Sequence, residues 1–226
     1  MRIGVDAGGT FTDFVILHDD GRLEVLKLRS NPATPARVIL EGLRLSAGAG
    51  RVEVIHGSTV GTNALLERKG ARTAFVTTSG FEDLVCIGRQ NRQQLYNLSP
   101  NPRAPLVPAD RSFGVRERAY YDGVIAQRPS ARELSRLKTA VKRSGAESVA
   151  ICFLHAYQTP ENEAAVEEAL KELGFVCRSS EICPEFREYE RASTTVINAY
   201  IGPLMDRYLS ELERGTRHRI SIMQSN

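Results

Sequence analysis

The sequence predicts an α/β protein whose mixed sheet opens with three antiparallel strands and continues as helices alternating with strands. Two apolar runs, residues 3–5 and 14–17, flank a short bend that contains two glycines. An Asp-Gly turn at residues 20–21 then leads to alternating apolar residues, which is typical of a hairpin. Farther along, strand-like runs alternate with segments of helical periodicity, which indicates a sheet with helices packed on it.

Each element of the first half has a local signal. Pro35 suits the first position of a helix, which we predict to continue to Gly48. Residues 52–55 are predicted as a short buried strand, 59–69 as a helix closed by the next glycine, and 74–77 as another strand. Ser79 and Glu82 have the spacing of a capping box, which predicts a helix over residues 81–88.

The second half begins with a long irregular loop, because residues 91–109 lack periodicity and contain four prolines. A second hairpin is predicted around the Asp-Gly pair at 122–123. Helical spacing at 134–141 and 166–173 alternates with strands at 149–154 and from 175. The last helix has apolar residues at helical spacing over 196–212, with a kink or break predicted near Gly202 because Pro203 interrupts the helix. A final strand is predicted at 219–223.

Composition excludes several classes of protein. The 226 residues are 42% hydrophobic and 25% charged with a net charge of +3, as in ordinary globular proteins. The scattered charges argue against nucleic acid or a membrane surface as the main partner. No apolar run approaches the roughly 18 residues of a membrane span, and no secretory signal is visible, so we expect a cytoplasmic protein. The four cysteines lack C-x-x-C spacing, which favours reduced thiols over a zinc site or disulfides.

The first bend, Ala7-Gly8-Gly9-Thr10, is the strongest functional signal. Glycines let a bulky anion approach the main chain, and successive N–H groups can form an anion-binding nest. Thr10 and Thr12 add hydroxyl donors, while Asp6 and Asp13 could hold Mg²⁺, usually through water. The alternative is a plain tight turn. It is not a Walker A loop, and a strand rather than a helix follows, which excludes a dinucleotide fingerprint.

The stretch DAGGTFTD, in a β-β-β-α-β-α order, resembles the phosphate-1 motif of the actin/Hsp70/sugar-kinase ATPase superfamily. Within it, four further stretches are similar to the hydantoinase A/5-oxoprolinase family: HGSTVGTNALLERKGARTAFVTTSGFEDLVCIGRQNR, LYNLSPNPRAPLV, VRERAYYDG and EYERASTTVINAYIGP. The resemblance implies a ribonuclease H-like, actin/Hsp70-type lobe with an inserted α/β subdomain. It assigns residues 1–190 to this lobe and 191–226 to a connecting helix and the first strand of a truncated second lobe.

The resemblance also implies an activity. The family uses ATP, with Mg²⁺ or Mn²⁺, to phosphorylate a carbonyl oxygen, and its members include cyclic amide hydrolases that open the ring afterwards. A hetero-oligomer with a hydantoinase B-type subunit or domain is expected. The 226 residues are expected to be a fragment that is inactive alone. Two alternatives stay open: the ATP-using subunit of an acetone- or acetophenone-type carboxylase, and a solitary lobe without catalysis.

By the same resemblance, Asp6 and Asp13 are the predicted catalytic and metal-binding residues. The predicted nucleotide-binding residues follow them in the bend and the next strand, and are Gly8, Gly9, Thr10, Phe11 and Thr12. Predicted substrate-binding residues lie in the HGSTVGTNA and IGRQNR stretches, and are His56, Ser58, Thr59, Asn63, Arg89 and Arg92. Two alternatives apply: His56 as a satisfied core histidine, and the two arginines as a solvated surface pair.

Overall fold

The computed structural model describes residues 1–31, 33–48, 50–91, 96 and 104–223. In chain order the elements are β1 (Arg2–Ala7), β2 (Phe11–Leu17), β3 (Leu23–Arg29), α1 (Pro35–Ser46), β4 (Glu53–Ser58), α2 (Val60–Leu66), β5 (Thr73–Thr78), α3 (Leu84–Ile87), β6 (Ser112–Val115), β7 (Arg118–Ala119), β8 (Ile125–Gln127), α4 (Ala131–Arg143), β9 (Ser148–Cys152), α5 (Glu161–Leu170), β10 (Phe175–Arg178), α6 (Ser179–Ile182), α7 (Glu188–Gly215) and β11 (Arg219–Ile222). Single 3₁₀ turns lie at Ala109–Arg111 and Lys171–Leu173.

The chain divides into two compact units. The N-terminal unit combines Met1–Lys69 with Leu204–Asn226, and the inserted unit is Gly70–Pro203. The predicted boundary between residues 190 and 191 concerns the lobes of a longer protein and stays a prediction. Within the described residues, no helix is long and apolar enough to cross a membrane.

The N-terminal unit is built on a five-stranded mixed sheet in the order β11-β4-β1-β2-β3. Strands β1, β2 and β3 form the predicted antiparallel meander, whereas β4 runs parallel to both β1 and β11. Alternate residues of β1 and β2, such as Ile3 and Phe14, are buried in one core with residues of α1 and the last part of α7. Because side chains alternate between the two faces of a strand, Asp6 and Asp13 lie on the opposite face of the sheet from this core.

The inserted unit has a four-stranded parallel sheet, in the order β10-β9-β5-β6, and the separate hairpin β7–β8. All residues of β5 and β9 are buried, as expected for the central strands of a parallel sheet. The hairpin around Asp122-Gly123 is confirmed, although its first strand is shorter than the predicted run of residues 116–121.

A buried polar network ties together the loops that follow β9 and β10. The Glu163 carboxylate accepts hydrogen bonds from the Phe153 amide at 2.9 Å and from the Ser179 hydroxyl at 2.6 Å. The Arg191 guanidinium donates to Ser179 Oγ at 3.0 Å and to Phe153 O and Glu185 O, both at 2.6 Å. Glu163 and Arg191 are fully buried, so these hydrogen bonds offset the cost of burying their charges.

The predicted capping box at Ser79 and Glu82 is wrong. The Ser79 amide donates to Val115 O at 2.9 Å, at the end of the β5–β6 pairing, and is therefore not available to the Glu82 side chain. Glu82 Oε2 instead accepts from the Gly80 amide at 2.8 Å. The helix is consequently a single turn that begins only at Leu84.

A break of the last helix at Pro203 is also wrong, because α7 continues through this residue. Proline removes only one donor of the helical ladder, and buried residues on both sides, Ala199 and Tyr208 among them, hold the helix in place. A kink there stays a prediction. Most of the predicted irregular loop lies outside the described residues.

Candidate functional site

Hydrogen bonds within the fold hold the bend between β1 and β2 in place. The Gly8 amide donates to Phe11 O at 3.1 Å, which forms the turn. Ser30, directly after β3, binds two carbonyls of the bend: its amide donates to Thr10 O at 2.9 Å and its hydroxyl to Gly8 O at 2.7 Å. Two carbonyl groups of the bend are therefore occupied within the fold.

The next two amides of the bend are different. Gly9 and Thr10 are exposed, and their N–H groups make no hydrogen bond with any of the residues that the structure describes. Two adjacent donors of this kind form a site at which an anion can accept two main-chain hydrogen bonds. Anion binding by the bend stays a prediction, for which these two amides without a partner among the described residues are the structural basis.

The two glycines serve different purposes, and neither adopts the left-handed region. A Cβ atom on Gly8 would lie 3.1 Å from Phe11 O, so a side chain there would strain the turn. A Cβ atom on Gly9 would have only one neighbour within 4 Å, Asn63 Nδ2 at 4.0 Å. Gly9 therefore leaves open space between the bend and Asn63.

Asp6 and Asp13 lie directly opposite each other in the antiparallel register of β1 and β2. Asp13 Oδ1 is 3.0 Å from Lys27 Nζ, so it has an internal counter-ion. The exposed Asp6 carboxylate makes no ion pair or hydrogen bond with the described residues. No group of three metal-ligating side chains occurs among the described residues. A Mg²⁺ ion held by this pair would therefore need ligand oxygens from water or a bound anion, which suits its preference for retained water.

Residues at the end of β4 and in α2 contact the same bend. Thr59 Oγ1 donates to Ala7 O at 3.1 Å, and Asn63 Nδ2 donates to Thr59 Oγ1 at 3.3 Å. Ser58 Oγ accepts from the Val60 amide at 3.3 Å. Helix α2 has only seven residues, fewer than predicted, so the side chains of Thr59 and Asn63 are the useful groups here rather than the helix end.

His56 is fully buried beneath the site, in the core. Its Nδ1 is 3.3 Å from Val5 O, which can only accept, so Nδ1 carries the proton. Burial lowers the pKa of His56, and the neutral ring accepts from Tyr208 Oη at Nε2, 2.5 Å away. Burial also raises the pKa of Tyr208 to about 12, which keeps this donor protonated. The geometry favours a core histidine over the predicted contact with substrate.

The two other predicted nucleotide-binding residues differ in exposure. Thr12 is buried, and its Oγ1 forms a 2.9 Å hydrogen bond with Ser30 Oγ, so its hydroxyl supports the bend from within. Phe11 is exposed, and Lys27 Nζ lies 5.2 Å from its ring centroid.

Of the two predicted substrate-binding arginines, the structure describes only Arg89. Arg89 lies in the inserted unit, where Nε and Nη2 are both 2.8 Å from Glu190 Oε1. Its guanidinium is therefore already matched by a carboxylate. Arg92 lies outside the described residues.

Sequence reasoning missed Ser30 and the role of Tyr208. Ser30 has no signal of its own, because its importance arises from long-range contacts with Gly8, Thr10 and Thr12. The sequence indicates Tyr208 only as one member of an apolar helical stripe. A tyrosine within such a stripe does carry a polar end that needs a partner when buried, and this was the available signal.

Comparisons with known proteins show which proteins this chain is similar to. The chain is 32% identical to the caprolactamase subunit alpha of Pseudomonas jessenii over all of its own length and 35% of that protein. It is 31% identical to the 5-oxoprolinase of Saccharomyces cerevisiae, again over its full length and 22% of the relative. The nucleotide-free structure of an acetone carboxylase matches 99% of the chain, and 36% of its own, with a TM-score of 0.86 at 25% identity.

The chain thus spans about a third or less of the length of these relatives. Its mixed α/β architecture, with parallel and antiparallel strand pairs, is the one found in that carboxylase. Residues 2–174 match the family described as the hydantoinase/oxoprolinase N-terminal region. Because this match covers most of the sequence, the chain belongs to the hydantoinase/oxoprolinase family.

Proposed function

We propose that this chain is the N-terminal, ATP-handling part of an enzyme that hydrolyses a cyclic amide. The observation that carries the proposal is the pair of amides at Gly9 and Thr10, which have no hydrogen-bond partner among the described residues, on the bend that follows the exposed Asp6 carboxylate of β1. Similarity to a caprolactamase subunit and a 5-oxoprolinase supports the substrate class.

The residues present fit a nucleotide and its counter-ion. The amides of Gly9 and Thr10 would bind phosphate oxygens, and Asp6 would hold Mg²⁺ or Mn²⁺. If Asp13 also bound the metal ion, its carboxylate would interact with both the metal ion and Lys27. ATP supplies a phosphoryl group that makes an unreactive amide carbonyl electrophilic. The protein's contribution to such transfer is mainly positioning and charge stabilisation.

The sheet order of the N-terminal unit and the insertion of a second unit support an actin/Hsp70-type lobe. On this proposal residues 191–226 lead into a second lobe that completes the nucleotide site. The subunit name of the caprolactamase relative supports a hetero-oligomer, for which we propose a hydantoinase B-type partner. The cytoplasmic location stays a prediction from the sequence.

A carboxylase subunit is the second candidate, supported by the structural similarity to acetone carboxylase. Both candidates use the bend in the same way and differ in the molecule that receives the phosphoryl group. A ketone would have to be phosphorylated as its enol before carboxylation, whereas a cyclic amide would be phosphorylated on its carbonyl oxygen.

The test measures phosphate release by the full-length protein together with any subunit that copurifies. We expect ATP-dependent release and ring opening with caprolactam, 5-oxoproline or a hydantoin, and none with acetone plus bicarbonate. Asp6→Asn should lower the rate about 100-fold or more, as expected for a lost charge-stabilising group. Asp110→Asn, an exposed aspartate in the inserted unit, is the matched control. Phosphate release with acetone plus bicarbonate, and with none of the cyclic amides, would favour the carboxylase. Full activity of Asp6→Asn would remove Asp6 from the site.

A further inference from the structure

The side chain of Asn63 has an orientation that the hydrogen-bond network fixes. Thr59 has a single hydroxyl hydrogen, and Ala7 O, 3.1 Å away, accepts it. The same Thr59 oxygen must therefore accept from Asn63, which requires the NH₂ end of the Asn63 amide to face it, at 3.3 Å. The assignment of nitrogen and oxygen in Asn63 thus follows from the bonding of its neighbour.

This orientation leaves one donor unused beside the bend. The Asn63 amide nitrogen carries two hydrogens, of which Thr59 takes one. Among the described residues the second has no acceptor, and the nitrogen is 4.0 Å from the position of a Cβ atom on Gly9. Asn63 therefore adds an N–H donor without a described partner close to Gly9, on a bend where the amides of Gly9 and Thr10 also lack a partner among the described residues. Such a set of donors suits an anion with several acceptor oxygens.

We propose that Asn63 is a phosphate-binding residue, which donates from α2 to the same nucleotide phosphates that the bend binds. This assignment rests on the proposed function and replaces the role of cyclic amide recognition that the sequence suggested for Asn63. Thr59 is then a positioning residue, because it fixes the Asn63 amide and ties it to Ala7 of the bend.

The test measures binding of an ATP analogue with a methylene bridge between the β- and γ-phosphates, by calorimetry on the full-length protein. Asn63→Asp keeps the size of the side chain but replaces the donor by a negative charge. We expect its affinity for the analogue to fall by about 10- to 100-fold, the range for a lost hydrogen bond to a charged group. Gln158→Glu, the same chemical change at an exposed residue of the inserted unit, should leave the affinity unchanged.

The melting temperature without nucleotide separates binding from structure. A phosphate-binding role predicts that Asn63→Asp melts like the unmodified protein and loses only the stabilisation that the analogue adds. If this variant melts early, Asn63→Ala repeats the measurement without the added charge. Equal analogue binding by the unmodified protein and the folded variants would overturn this inference alone. Absence of binding by the unmodified protein would overturn the proposed function and this inference together.

Discussion

Replacing Gly9 by alanine should weaken nucleotide binding without destabilising the fold. The Cβ atom of Gly9→Ala would lie 4.0 Å from Asn63 Nδ2, an ordinary contact, and the backbone there is not left-handed. Such a substitution usually stabilises a protein by about 0.4–1 kcal/mol, because it restricts the unfolded chain. The methyl group would nevertheless occupy the space through which phosphate oxygens reach the amides.

If two hydrogen bonds to a charged group are lost, at about 1.5–3 kcal/mol each, nucleotide affinity should fall by at least 100-fold. Calorimetry with the ATP analogue and urea unfolding of the same preparations measure both quantities. The neighbouring Gly8→Ala should instead lower the free energy of unfolding by about 1–3 kcal/mol, because its Cβ atom would lie 3.1 Å from Phe11 O. Gly4→Ala, whose nearest contact would be Val15 O at 3.8 Å, is the control. Unchanged nucleotide binding by Gly9→Ala would refute the reasoning.

Two further predictions concern the buried polar groups. Burial lowers the pKa of folded His56, so the unfolded chain takes up a proton first as pH falls below about 6.5. The free energy of unfolding should therefore decrease from pH 7 to pH 5. The decrease should be smaller in His56→Gln than in the control His18→Gln. An equal dependence of the unfolding free energy on pH in the two variants, measured by urea titration, would contradict this prediction. Arg191→Met removes the guanidinium from its buried network and should cost roughly 3–5 kcal/mol, whereas exposed Arg132→Met should cost less than about 0.5 kcal/mol. A small loss for Arg191→Met would show that the network contributes little.

The predictable parts of the fold are those with local signals. Alternating apolar residues and an Asp-Gly turn were enough to predict the β1–β2–β3 meander, and two adjacent glycines were enough to locate the bend. The parallel pairing of β1, β4 and β11 was not predictable in this way, because it joins strands that are distant in sequence. The capping box failed for a related reason: the Ser79 amide is taken by Val115, a partner that no local pattern identifies.

The candidate site shows the same division. The sequence identified the main-chain donors of Gly9 and Thr10, since glycine spacing is a local property. It could not distinguish Asn63, which lies beside the bend, from His56, which is buried in the core, because both lie in one short stretch rich in polar residues. The difference becomes visible only once the tertiary neighbours of β4 and α2 are known, since these bury His56 and place Asn63 near Gly9.

The order of synthesis has a consequence for the five-stranded sheet. Strand β11 leaves the ribosome only after the whole inserted unit, so β4 remains an unprotected sheet edge throughout that interval. The inserted unit is continuous in sequence and can fold while it emerges, whereas the bend between β1 and β2 belongs to a sheet that must wait for its last strand. An expressed fragment that stops before Arg219 would keep this edge permanently and should aggregate through it.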